Sequence, residues 1–203
     1  MKSKIYFLAV FLVLLFNLPS YSQNLKLIQY ISFEIGTGNT EVSIANRDSI
    51  ANNFGITTKS ALFGGVSVKI PYLVGGLYYY DNKFTMTDRG QTYEINNGYL
   101  SLVALYDFLQ LNMNDLIFAS LKLGLSGSVL ISKKDNGPRF QYKSVVVGIN
   151  GKVDATMNVA PTIGITVGLD YNYNGLSNPI IVDDKYPLRL SSFKFYAGIR
   201  KYF

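Results

Sequence analysis

The chain has 203 residues and a formal net charge of +6, and it contains no cysteine, histidine or tryptophan. Without cysteine there is no disulfide framework and no thiolate chemistry, and without cysteine and histidine the usual zinc sites are excluded. The chain also has no GxxxxGK[ST] phosphate loop and no cluster of basic with aromatic residues, so the sequence predicts no nucleic-acid partner.

The N-terminal segment has the pattern of a secretory signal peptide. Two lysines precede a short apolar run, and Ser20 and Ser22 provide small side chains at the −3 and −1 positions of a cleavage site. We therefore expect residues 1–22 to be a signal peptide and residues 23–203 to form one mature domain, although an uncleaved anchor is the alternative. The predicted start at Gln23 resembles the junctions common in exported proteins of Bacteroidota.

Eight segments of the mature chain alternate between apolar and polar side chains, which is the pattern of half-buried strands. The seventh is the most regular, and in it Ile165 and its apolar neighbours alternate with Thr166 and other small or polar residues. The third has an ambiguous phase, because Tyr78, Tyr79 and Tyr80 are aromatic on both faces. In chain order the segments cover residues 27–36, 60–70, 72–81, 98–108, 116–131, 142–155, 162–173 and 193–203.

The connections between these segments alternate in length. The short links are residue 71 and residues 109–115 and 156–161. The other links are longer and rich in Asn, Asp, Gly, Lys and Ser. The longer links cover residues 37–59, 82–97, 132–141 and 175–188. Short turns on one side and long loops on the other are typical of outer-membrane barrels, with the turns in the periplasm.

The last strand carries the most specific pattern of the chain. Phe193, Phe195, Ile199 and Phe203 lie on one face of it, which is interrupted only by Lys201. An amphipathic strand that ends in phenylalanine resembles the closing strand of bacterial outer-membrane β-barrels. In that family this strand is the signal read by the barrel-assembly machinery, so the resemblance implies an insertion-signal role for these four apolar residues.

The resemblance implies an all-β fold: a single eight-stranded antiparallel transmembrane β-barrel with short periplasmic turns and longer extracellular loops. The chain is similar in pattern to the broad class that includes the OmpX-like, OmpW-like and OmpA-barrel families. Its location would then be the outer membrane of a Gram-negative bacterium, with membrane lipid and lipopolysaccharide as surroundings. Abundant Tyr and Phe, at 16 and 13 residues, fit the aromatic girdles of such barrels.

The polar faces of the strands favour a narrow lumen over a solvated surface, because they are rich in Gly, Ser and Thr. Charged residues on these faces would then be buried, and buried charges need partners. We expect Glu34 to lie near Lys194 or Tyr196, since the first and last strands are neighbours in a closed barrel. The predicted polar network of the lumen contains Glu34, Lys122, Lys152, Asp170, Lys194 and Arg200, together with Lys69, Asp107 and Asp154.

The sequence predicts no catalytic, cofactor or metal site, and so no enzyme. The outer-membrane phospholipase, lipid A acyltransferase and omptin proteases rely on histidine, which this chain lacks. The favoured function is structural or in surface interaction, with a lumen filled by side chains and partner contacts in loops 37–59 and 175–188. The alternatives are a narrow channel for small or hydrophobic solutes and a soluble periplasmic or secreted ligand-binding barrel.

Overall fold

The computed structural model describes residues 27–44, 54–88, 90–114, 116–136, 140–174, 176–182 and 186–203. The predicted signal peptide, residues 1–22, lies outside the described residues. No helix in these described ranges is long and apolar enough to cross a membrane.

The described chain is folded entirely into β-strands and their connections. Eight long strands form a closed antiparallel barrel in which each pairs with its neighbour, and β1 also pairs with β10 to close the ring. Two short strands, β6 and β9, lie at one end. The strands are β1 (Tyr30–Ile44), β2 (Phe54–Ile70), β3 (Leu73–Asp88), β4 (Gln91–Asn112), β5 (Ile117–Asp135), β6 (Phe140–Tyr142), β7 (Val145–Ala160), β8 (Ile163–Tyr173), β9 (Ile180–Val182) and β10 (Tyr186–Tyr202).

The strands are staggered, as closure of a tilted sheet requires. From Tyr30 on β1, the line of paired residues runs around the barrel and returns to β1 at Thr40, ten residues further along the strand. An eight-stranded barrel has an interior just wide enough for side chains to fill. The lumen is therefore a packed core.

The faces of the strands agree with the predicted fold. Apolar side chains point outward and are exposed, as at Ile35 (70% exposed) and Phe195 (64%), while polar and charged side chains point inward and are buried. Tyr106 and Tyr171 also lie exposed on the outer wall. This arrangement is the reverse of that in a soluble barrel and matches a barrel in lipid.

The end of the barrel that holds Leu27 and Phe203 has the predicted short turns. β2 and β3 are joined at Pro71 and Tyr72, and β7 and β8 are joined at Pro161 and Thr162. Tyr72 has a positive φ of 67°, which the second central position of a type II turn requires. In the outer-membrane orientation this end faces the periplasm.

The prediction of long loops at the other end was wrong in part. Residues 82–97 do not form a loop, because β3 and β4 continue in register to Asp88 and Gln91 and meet in a tight turn with Gly90 at a φ of 80°. β1 likewise extends to Ile44 and β2 begins at Phe54. Residues 45–53, which include Arg47, lie outside the described residues.

These extensions have the opposite face pattern from the rest of the barrel. On β1, outward Phe33 and Ile35 are followed by outward Asn39 and Glu41, whereas the inward position moves from charged Glu34 to apolar Ile44. Inward apolar residues from several strands meet there as a hydrophobic core of Phe84, Met86, Tyr93, Ile95, Phe140, Ile180, Val182, Leu188 and Leu190. We call the extensions together with this core the upper barrel, and the remaining part of the barrel, down to the turn at Pro71 and Tyr72, the lower barrel. The face pattern of the upper barrel is that of a water-soluble protein.

β6 and β9 complete the upper barrel above β7 and β8, which stop short. β9 pairs with the first residues of β10, from Tyr186 to Leu188, and β6 pairs with β9. Phe140 of β6 and Ile180 of β9 are buried in the hydrophobic core. The apolar residue Ile180 of predicted loop 175–188 is therefore a core residue, which corrects the expectation that it offers partner contacts.

Candidate functional site: the barrel lumen

The side chains of the lumen lie in successive layers from its periplasmic end upward. The lowest charged layer is built around Asp154 of β7. Its carboxylate pairs with Lys122 and, at 2.9 Å from Oδ1, with Nη2 of Arg200, and it accepts a hydrogen bond of 3.0 Å from the Tyr196 hydroxyl. A second pair, Lys69 with Asp107, lies on the opposite wall from Asp154.

The next layer is centred on Lys152, whose ammonium group lies at the middle of the lumen. Its Nζ donates to Oε2 of Glu34 at 2.5 Å and lies 3.5 Å from Oδ2 of Asp170. The same nitrogen lies 3.8 Å from the ring centroid of Tyr78 and 4.8 Å from that of Tyr196. Two carboxylates and stacked aromatic faces together compensate the desolvated cation.

Glycines on neighbouring strands make room for these large rings. Gly36 lies opposite Tyr196, and a Cβ added to Gly36 would come within 2.8 Å of Tyr196 and 2.1 Å of the Phe195 carbonyl oxygen. Gly65 lies opposite Tyr78 in the same way. The many small residues on the polar faces therefore lie beside a few large aromatic rings. Small and large side chains together fill the cross-section of the lumen.

Lys194 differs from the other buried cations of the lumen. Its Nζ donates to the backbone carbonyl of Asp81 at 2.9 Å and to that of Leu62 at 3.4 Å, and among the described residues no carboxylate lies within ion-pair distance. Around this level the lumen is lined by amides and hydroxyls. The buried residues there are Asn82, Asn97, Ser101, Ser126, Ser128, Asn150 and Asn172.

The upper barrel closes the lumen above this amide layer with its hydrophobic core. Outside that core the wall is polar. Lys59 donates to Glu94 at 2.7 Å, and this hydrogen bond, together with the lysine's charge, holds the pKa of Glu94 below its usual value. Because both groups are exposed, the pair contributes little to stability.

Below the lowest charged layer the lumen opens into a vestibule of about 480 Å³ at the periplasmic end. Tyr30 and Tyr202 form part of its wall, with their ring centroids 6.0 Å apart in an edge-to-face arrangement. Arg200 forms its inner boundary, with the guanidinium carbon 4.5 Å from the Tyr30 ring centroid.

The six residues proposed for the polar network all lie in the lumen and are buried: Glu34, Lys122, Lys152, Asp170, Lys194 and Arg200. The pairing expected for Glu34 is different, however. Glu34 lies opposite Gly198 on β10, and its ion-pair partner is Lys152 across the lumen. Lys194 instead lies beside Asp170 of β8 and opposite Gly38 of β1.

The structure also brings to the lumen tyrosines that the sequence did not assign to it. Tyr78, Tyr80 and Tyr30 are buried in it, and Tyr80 donates to Asp170 at 3.2 Å. Lys69 of β2 faces the lumen and is paired with Tyr30 of β1 and Val74 of β3. Tyr78 and Tyr80 lie an even number of residues from Val74, so they face the lumen as well. The ambiguity of the tyrosine run arises because the apolar face changes sides just above it.

The four residues of the proposed insertion signal lie on the outer wall of β10. Phe193, Phe195, Ile199 and Phe203 are all exposed. Phe193 and Phe195 contact each other edge to face with centroids 5.8 Å apart. Among the described residues, no group of three or more acidic residues could hold a metal ion.

No protein-family model matches the chain. No curated protein matches it by sequence. Among solved structures, the barrel is similar to the outer membrane protein AlkL, determined by solid-state NMR in DMPC lipid bilayers, with 11% identity, coverage of 92% of this chain and 95% of that one, and a TM-score of 0.53.

Two crystal structures match with lower TM-scores. Neisserial surface protein A is 15% identical over 86% of this chain and 97% of that one, with a TM-score of 0.48. The outer membrane protein OprG from Pseudomonas aeruginosa is 8% identical over 89% of this chain and 99% of that one, also at 0.48. The likeness to AlkL and the closed ring of eight strands agree on the fold. The chain has the fold of a small outer-membrane β-barrel protein.

Proposed function

We propose that this protein is an outer-membrane barrel with a structural or surface-interaction role and a lumen closed to solute flow. The observation that carries the proposal is the filling of the lumen. The Asp154 layer, the Lys152 layer, the amide layer around Lys194 and the hydrophobic core of the upper barrel follow one another along the lumen. Solutes crossing the barrel would have to displace all four.

The surface-interaction role is supported by the upper barrel. Its outer wall is polar and its core is apolar, so it is built to stand in water beyond the lipid. A rigid, folded projection is a better platform for contacts than a set of mobile loops, because less ordering entropy is lost on binding. The partner would then contact the outer wall and rim of the upper barrel rather than its buried apolar residues.

The outer-membrane location is supported by the fold and by the apolar outer wall of the lower barrel. We propose that the signal peptide, residues 1–22, directs export and that lipid and lipopolysaccharide surround the barrel. Because the fold alone does not separate enzymes from other barrels, the non-enzymatic role rests on the chain's lack of histidine and cysteine.

We further propose that the barrel-assembly machinery reads the exposed apolar face of β10. Deleting Phe203, which is about half exposed and lies past the last pair of β10, should reduce outer-membrane levels far more than its small contact area explains. Phe203→Tyr should assemble normally, because it keeps an aromatic terminus. Outer-membrane fractions of the two variants, compared by immunoblot, measure this effect. Equal levels for the deletion and the wild type would refute the signal role.

Planar-bilayer recording of the refolded mature protein tests the closed lumen. We expect no stable conductance from the wild type. A variant with Tyr78→Ala, Lys152→Ala and Tyr196→Ala should also stay closed, because it removes only the central layer and leaves the Asp154 layer and the hydrophobic core in place. Leu77→Ala, on the outer wall beside Tyr78, is the control for a nonspecific loss of packing. Stable, reproducible conductance steps in the wild type would overturn the proposal.

A further inference from the structure

The periplasmic vestibule has the dimensions of a ligand site. Its volume of about 480 Å³ lies within the range of roughly 300–1,000 Å³ that is usual for small-molecule pockets. Side chains from β1, β2, β4, β5, β7 and β10 line it, so nearly the whole ring contributes to one concave surface. None of the lumen interactions described above requires this space.

The charges at the vestibule are already compensated. Lys69 pairs with Asp107, and Arg200 pairs with Asp154 behind it. A ligand with a net charge would have to compete with these internal ion pairs, which are buried and hydrogen-bonded. The vestibule therefore favours a ligand without net charge.

Hydrogen-bonding capacity nevertheless remains at the vestibule. The amide side chains of Gln29, Asn112 and Asn158 line the cavity. Each amide has both hydrogen-bond donors and an acceptor. This set suits a ligand that both donates and accepts, as hydroxyl groups do.

The walls add aromatic surface to this polar set. Tyr30 and Tyr202 form an edge-to-face pair beside Arg200. Tyrosine combines a flat apolar ring with a hydroxyl group, so it suits ligands that have an apolar face and a polar edge. Sugar rings have this character, with C–H groups on their faces and hydroxyls around their edges.

We propose that the periplasmic vestibule binds a carbohydrate of mono- to disaccharide size. A sugar has no net charge, as the compensated charges of the vestibule favour. Its hydroxyl groups match the mixed set of hydrogen-bond donors and acceptors, and its ring face matches the tyrosine pair. The sugar could be a free saccharide or the end of a glycan strand, since both present the same ring chemistry to the vestibule. This proposal concerns the end of the barrel opposite the upper barrel and is independent of the closed lumen.

Isothermal titration of the refolded mature protein in lauryldimethylamine oxide, a detergent without a sugar headgroup, tests the proposal. The probes are diacetylchitobiose and cellobiose, with alanyl-alanine as a zwitterion of similar polarity. We expect saturable binding of at least one disaccharide and none of the dipeptide. Asn158→Ala should weaken sugar binding roughly three- to tenfold, the loss typical of one uncharged hydrogen bond. Thr92→Ala, at the opposite end, should leave it unchanged.

The outcomes separate the proposal from its rivals. No saturable sugar binding, binding of the dipeptide alone, or equal affinities for wild type and Asn158→Ala would each overturn it. Cosedimentation with purified glycan strands distinguishes the two sources of the sugar: pelleting would point to a strand end, and binding of disaccharide without pelleting would point to a free saccharide. Thermal unfolding of Asn158→Ala confirms that a loss of binding is not a loss of fold.

Discussion

Lys152 shows how single residues determine the interior of this barrel. Its alternating phase placed it on the polar face, and a buried cation must have partners. Its main partner, Glu34, is 118 residues away along the chain, and contact between them depends on the stagger of the strands. Alternation predicts which face a residue occupies, but not which residue lies across the lumen.

Lys152→Met should therefore destabilise the barrel by about 3–5 kcal/mol, because it leaves the buried carboxylates of Glu34 and Asp170 without their cation. Urea unfolding of the protein in lipid vesicles measures this loss. Adding Glu34→Gln and Asp170→Asn to the same chain should restore much of the stability, since no uncompensated charge then remains. A loss below about 1 kcal/mol in the single variant would contradict the central role of this ion-pair layer.

Glycine positions provide a second test at the residue scale. Gly36→Val should prevent or strongly impair folding, because even its Cβ would lie 2.1 Å from the Phe195 carbonyl oxygen. Gly75→Val is the matched control, since nothing lies within 4 Å of a Cβ at that outward position. Heat-modified gel mobility reports the folded fraction of each. Similar folding of both variants would argue against the close packing of Gly36 and Tyr196.

At the scale of the elements, most of the long strands are longer than the sequence predicted. In the sequence the alternating segments span roughly ten to sixteen residues, because the apolar side chains keep to one face only over that length. Above the membrane the apolar side chains move to the other face, as at Phe84 and Met86, and the run then reads as a polar loop. The eight strands, their order and their periplasmic turns were predictable. The extensions were not, because a reversal of phase looks like an end of the strand.

The upper barrel should depend on its own hydrophobic core. Phe84→Ala removes a fully buried ring and should cost about 3–5 kcal/mol, as for other large-to-small core substitutions. Thr85→Ala, the next residue and on the outer wall, should cost less than about 1 kcal/mol. Limited proteolysis of the barrel in liposomes separates the two variants. Phe84→Ala should be cut in the upper barrel while the membrane-embedded part stays protected, and equal resistance would count against a separate core.

At the scale of the whole molecule, the chain combines two environments in one continuous sheet. The lower barrel has an apolar wall and a polar interior, and the upper barrel has a polar wall and an apolar interior. The boundary between these patterns lies near Tyr79 on β3 and Thr37 on β1. We expect the membrane to end at that boundary, and we propose that the part above it is the surface offered to partners.

Single-cysteine labelling tests this two-part account most directly, because the chain has no cysteine of its own. Leu77→Cys and Thr85→Cys, both on the outer wall of β3, are compared in proteoliposomes with a membrane-impermeant maleimide. We expect rapid labelling at residue 85 and protection at residue 77 until the protein is unfolded in urea. Equal labelling of both would mean that the whole barrel stands in water, and protection of both would mean that lipid covers the strand to its end.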